Sequence, residues 1–128
     1  MDALVWVDQY QVQSFGEPFA LGQHVTWPIT TQLNVAALTE LVGAVTAARI
    51  SMAADWHAGR PEDTVSHTGT IAGIELFRCR HARGHVVPNT VETHLVDRAD
   101  GWEPEKDGVH NVGYLVTLTN VVQALDKR

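Results

Sequence analysis

One property narrows the choice of fold for this chain more than any other: apolar and polar side chains alternate with period two over much of its length, the spacing of a half-buried β-strand. From Leu4 to Val12 the alternation sets Leu4, Trp6, Tyr10 and Val12 on one face and Gln9, Gln11 and Gln13 on the other, with Asp8 as a carboxylate among the apolar positions. After a turn at Gly16 and Pro18, a second run places Phe19, Leu21, Val25, Trp27 and Ile29 on one side, with a bend at Gly22. From Thr68 to Arg80 the apolar residues Ile71, Ile74, Leu76 and Phe77 serve both faces, the pattern of a central strand. VETHLVD and VGYLVTLTNVV supply two more strands, separated by the turn-rich DGWEPEKDG.

Helical spacing is confined to one region. Leu38, Leu41, Val42 and Val45 fall at i, i+3, i+4 and i+7, Asn34 is placed to cap the start, and Gly43 is placed to end a helix over 34–42. The next segment, AVTAARISMAADWH, fits two patterns. Its alanines favour helix, whereas Gly43 and the alternation of Ile50, Met52, Ala54 and Trp56 predict a strand from Ala47 to His57. Six strands with one short inserted helix predict a mainly β (α+β) fold: a small curved antiparallel sheet or partly open β-barrel.

At 128 residues the chain is sized for a single domain over 1–128, and nothing in it approaches the run of about 20 apolar residues that a membrane-spanning helix needs. The start, MDALVWVDQY, has no basic region and turns polar too early for a signal peptide, so a cytoplasmic location is expected. A single cysteine, Cys79, rules out an internal disulfide and a four-cysteine zinc site. The net charge of −6 with only two lysines works against nucleic-acid binding, which depends on basic side chains displacing counterions from phosphates.

The stretches VWVDQYQVQSFGEPFALGQHVTW and DGWEPEKDGVHNVGYLVTL, with TGTIAGI and WHAGRPEDT between them, resemble a family of small uncharacterised actinomycete proteins known as a domain of unknown function. The similarity covers nearly the whole chain. It implies an actinomycete source and implies no catalytic residue.

Three groups of residues could carry chemistry. In FRCRHARGH, Cys79 and His81 share a strand face. If the following turn is centred near Val86 and Val87, His94 lies opposite Cys79 and Glu92 opposite His81. A thiolate, two imidazoles and a carboxylate would suit zinc, the only cofactor the chain suggests; the competing reading is a solvated hairpin end. The second group is Asp55, His57 and His67, brought together by a hairpin centred near Glu62, with Asp orienting one imidazole while the other acts as a general base. The third is Asp8 with Tyr10, Trp27 and Trp102, a carboxylate beside aromatic residues that could contact a ligand or partner.

The chain reads as a non-catalytic binding or assembly module that pairs with itself as a homodimer, or with a partner, through a sheet edge and the Trp102 loop. The competing reading is a small enzyme acting on an organic metabolite by His/Asp acid–base chemistry, with Asp8 or the His57/His67 pair in that role. An enclosed pocket converging on Asp8 or His57 would favour it.

Overall fold

The computed structural model describes residues 2–56, 63–105 and 108–124. Ten strands and three helices are described: β1 (Ala3–Asp8), α1 (Gln9–Ser14), β2 (Phe19–Ala20), β3 (His24–Thr30), α2 (Val35–Val42), α3 (Ala44–Arg49), β4 (Ile50–Ala54), β5 (Val65–Cys79), β6 (His81–Ala82), β7 (His85–Val86), β8 (Glu92–Leu95), β9 (Arg98–Ala99) and β10 (His110–Gln123). Six strands form one sheet in the order β10-β1-β4-β3-β5-β8, while β2 pairs with β9 and β6 with β7. An additional β10–β5 pairing curls this sheet strongly. It is nevertheless not a closed barrel: β3 and β4 meet only at Ile29–Ala54 and Thr30–Ala53.

The mainly β architecture agrees with the sequence pattern, with one correction to the pairing. The sheet is mixed, because β1 and β4 run parallel, with Trp6 beside Ala53. A parallel pair needs a crossover, and here everything from α1 to α3 forms it.

Curling gives β1 two buried faces. Val5 and Val7 point into the concave core with Phe19, Trp27, Ile71, Leu76, Tyr114 and Val116. Trp6 points the other way, into a smaller core with Leu38, Ala47, Ile50, Phe77 and Leu115. The helices α2 and α3 therefore cover the convex face. Strand β5 serves both cores by a different route. Pairing with β10 skips Ala72 between Ile71 and Gly73, and this irregularity re-phases the strand so that Ile71, Ile74 and Leu76 all reach the concave core.

Three local expectations change. The alternating run from Leu4 does not continue to Val12: the strand stops at Asp8 and residues 9–14 form a helix. Glutamine has better helix than strand propensity, and the helix still buries Val12. The strand predicted from Ala47 is helical until Arg49 and extended only from Ile50 to Ala54. The run from Phe19 is interrupted, leaving Leu21 in solvent between β2 and β3. The helix at 34–42 forms as expected: Asn34 Oδ1 accepts the Ala37 N–H at 3.1 Å, and Gly43, at φ +83°, ends it with its N–H on Thr39 O.

Candidate functional site

The parallel pairing of β1 and β4 has a consequence at their carboxyl ends. Trp6 sits beside Ala53, so Asp8 and Asp55, each two residues further on, emerge at the same edge of the sheet. Both line a cleft of about 300 Å3 between that edge and α2. Its apolar surface is contributed by Trp6, Leu38, Leu41 and Ala53, and Thr30, Gln32 and Asn34 of the β3–α2 connection form a polar side.

Each carboxylate is oriented by a named donor. The Trp6 indole N–H donates to Asp8 Oδ1 at 2.8 Å, and Gln11 Nε2 donates to Asp55 Oδ1 at 3.0 Å. Gln11 in turn accepts the Trp56 N–H on its Oε1 at 2.9 Å, so α1 clamps the chain after β4. Asp8 is exposed and Asp55 half-buried. A carboxylate has room for about four hydrogen bonds, so both can accept from a ligand as well.

The sequence suggested Asp8 and Asp55 as members of two separate groups, and the structure brings them together. It separates most of the remainder. His67 lies opposite Trp27 across the β3–β5 ladder, so β3 stands between β5 and the end of β4 where Asp55 sits. The expected hairpin from β4 to β5 is therefore corrected: both strands pair with β3 instead. His57 lies outside the described residues.

Register also separates the proposed metal ligands, parting Cys79 and His81 from Glu92 and His94. Strand β8 aligns Leu76 with His94 and Arg78 with Glu92, three residues from the expected alignment of Cys79 with His94. An odd shift moves every side chain to the opposite face. Cys79 instead pairs with His110 across β10 and is fully buried, its Sγ 3.5 Å from His81 Nδ1. Burial pushes its thiol pKa up, away from the thiolate that binds zinc. Among the described residues no group of three or more His, Cys, Asp or Glu is arranged to hold a metal ion.

The aromatic group divides in the same way. Trp27 belongs to the core, edge-on to Phe19 at 5.0 Å and to Trp56 at 5.7 Å. A second cavity, of about 370 Å3, lies beside these rings, with Glu17 and His24 among its lining residues. It holds neither Asp8 nor Asp55. Tyr10 is exposed on α1 and packs edge-on against Phe15. Trp102 is 69% exposed, in a loop whose Gly101, Glu103 and Glu105 are hydrogen-bonded to neighbouring elements.

That loop rests on α1 and β10. Gly101 O accepts the side-chain amides of Gln9 and Gln13, the latter at 2.8 Å, and Gly101 N–H donates to the Tyr114 hydroxyl at 3.0 Å. The same hydroxyl donates to Glu103. Burial first, then this bond to Glu103 and the charge of Glu103, push the Tyr114 pKa well above the ordinary tyrosine value. Glu105 accepts the Asn111 N–H at 2.6 Å, which is the largest influence holding its carboxyl below the usual range; His110 and Arg78 add to it.

Sequence reasoning missed Gln9, Gln11 and Gln13, taken there only as the polar face of a strand; they are the tethers of both the cleft and the Trp102 loop. Their uniform identity is the signal that could have marked them. A family model described as a family of unknown function (DUF6578) matches residues 1–120. No curated protein and no solved structure matches the chain.

Proposed function

Because the chain belongs to the family of unknown function DUF6578, whose description names no activity, we propose a role from the site alone: a non-catalytic binding module that holds a small organic cation in the cleft between β1, β4 and α2. The observation that supports it is the parallel register that sets Asp8 and Asp55 beside one apolar surface. Carboxylates only accept hydrogen bonds, so they select an ammonium or guanidinium group. The wall formed by Trp6, Leu38 and Leu41 selects an apolar arm on the same molecule. The cleft volume is at the lower end for small-molecule sites, which limits the ligand to metabolite size. No histidine, cysteine or lysine is among the described lining residues, and this favours holding a ligand over transforming it.

Calorimetric titration with phenethylamine, hexylamine and phenylguanidine tests the reading. Binding is expected to weaken about tenfold or more in Asp8→Asn and in Asp55→Asn, the scale of one lost charged hydrogen bond, and to weaken as the apolar arm is shortened. No binding by any of the three cations, or binding indifferent to both substitutions, removes it. The competing reading, an acid–base enzyme, draws on the two carboxylates that line one cleft. Chemical change in a bound cation, lost in either variant, would establish that reading instead.

A further inference from the structure

Among the described tryptophans only Trp102 is exposed, yet it does not sit on a slack loop. Its own N–H donates to Asp100 Oδ1 at 2.7 Å, the Asp100 N–H donates to Glu103 Oε2 at 2.9 Å, and the preceding Gly101 is bonded through both its N–H and its carbonyl. A loop backbone fixed before contact spares its own ordering entropy on docking, and tryptophan is among the residues most enriched in those that dominate binding energy.

The surface around this indole carries both signs of charge. Asp100, Glu103 and Glu105 belong to the loop itself. Arg78 is the register partner of Asn111, whose N–H is bonded to Glu105. The Arg80 guanidinium lies so close over Gly108 that a side-chain carbon there would come within 2.2 Å of Nη1. Arg83 is exposed at the turn between β6 and β7, three residues on from Arg80. Two of the chain's seven arginines, Arg78 and Arg80, thus lie beside its acidic loop, with Arg83 on the hairpin that follows, in a molecule whose net charge is −6. A partner of uniform charge would be repelled by one half of such a surface. A second copy related by a two-fold axis lays each acidic loop on the other's arginines, the self-complementarity that an isologous contact requires.

We propose that this end of the molecule is a self-association surface, on which Trp102 is buried between two copies and the loop carboxylates of each copy face Arg78, Arg80 and Arg83 of the other. The contact does not depend on the cleft or its ligand. Sedimentation equilibrium of the full chain over a range of concentrations tests it. A species of twice the 14.1 kDa monomer mass is expected, with Trp102 emission shifted to the blue on assembly and dissociation promoted by salt. Trp102→Ala is expected to weaken association about tenfold or more. Arg83→Glu, at an exposed turn outside the folded core, is expected to weaken it through charge alone. Unchanged circular dichroism establishes that both variants fold. A monomer at every concentration overturns the proposal, as does a dimer that both folded variants leave intact, since the contact would then lie elsewhere.

Discussion

Gly113 shows how much a single position can carry. In β10 it faces Asp8 across the ladder, and the Trp6 indole lies directly over it. A side-chain carbon at Gly113 would come within 2.4 Å of Trp6 Cζ2 and 2.8 Å of Val7 O. Neither neighbour can yield: Val7 O is strand backbone, and Trp6 is buried with its indole N–H on Asp8. Gly113→Ala is therefore expected to destabilise the fold by about 1–3 kcal/mol, the usual cost of overpacking, and to disturb the donor that orients Asp8. Gly73→Ala is the control, because a carbon there meets only Thr117 at ordinary contact distance, 3.5 Å. Urea denaturation of the two variants should separate them clearly. A glycine inside VGYLV already signals a close approach in the sequence. That the approaching group is Trp6, more than a hundred positions away, depends on which strands pair.

At the scale of elements, α2 was the most legible part of the chain and is also a wall of the candidate site. Its cap, its apolar spacing and its terminating glycine are local features, and local features survive translation into structure. Asn34→Ala removes the acceptor for the Ala37 N–H and should cost about 1 kcal/mol. Asn34 itself lines the cleft beside Leu38 and Leu41, so the same variant should weaken cation binding by removing a polar lining group and loosening the wall, while leaving both aspartates in place. Thermal denaturation measures the first effect and calorimetric titration the second. The segment after α2 was half legible. Its alternation from Ile50 is a real strand, but Ala47 to Arg49, read as its beginning, belongs to the helix Ala44–Arg49 and packs Ala47 into the convex core. Alanine favours helix, and over 44–49 that preference, with Ala47 packed in the convex core, won over the strand reading.

For the whole molecule, Tyr114 ties the Trp102 loop to the concave core, and its ionisation should register in global stability. Its hydroxyl pKa is raised in the folded protein, by burial and by Glu103. Below about pH 10, the ordinary tyrosine value, the folded and unfolded chains both hold this proton, and its contribution is complete. Above it the unfolded chain releases the proton first, so stability should fall by as much as about 1.4 kcal/mol per pH unit. Tyr114→Phe should flatten that decline, which denaturation midpoints between pH 8 and pH 11 would measure. A decline of equal slope in the variant would assign it to other groups. Register explains why Cys79, so prominent in the sequence beside two histidines, holds no place in the candidate site. The β5–β8 pairing turned His94 and Glu92 to the other face, and Cys79 is buried in the ladder beside His110.

Read alone, the sequence determined that this chain is mainly β, that the strand over 68–80 carries apolar residues on both faces, and that one capped helix interrupts the strands. Each of these is written in spacings of a few residues, which backbone geometry converts directly into faces. Only the tertiary structure decided that β1 and β4 lie parallel, that β3 separates β4 from β5, and that Asp8 and Asp55 share a cleft. Those outcomes depend on which distant strand supplies each ladder's hydrogen bonds and in what register. A one-residue difference there reverses every side chain while leaving the local pattern unchanged.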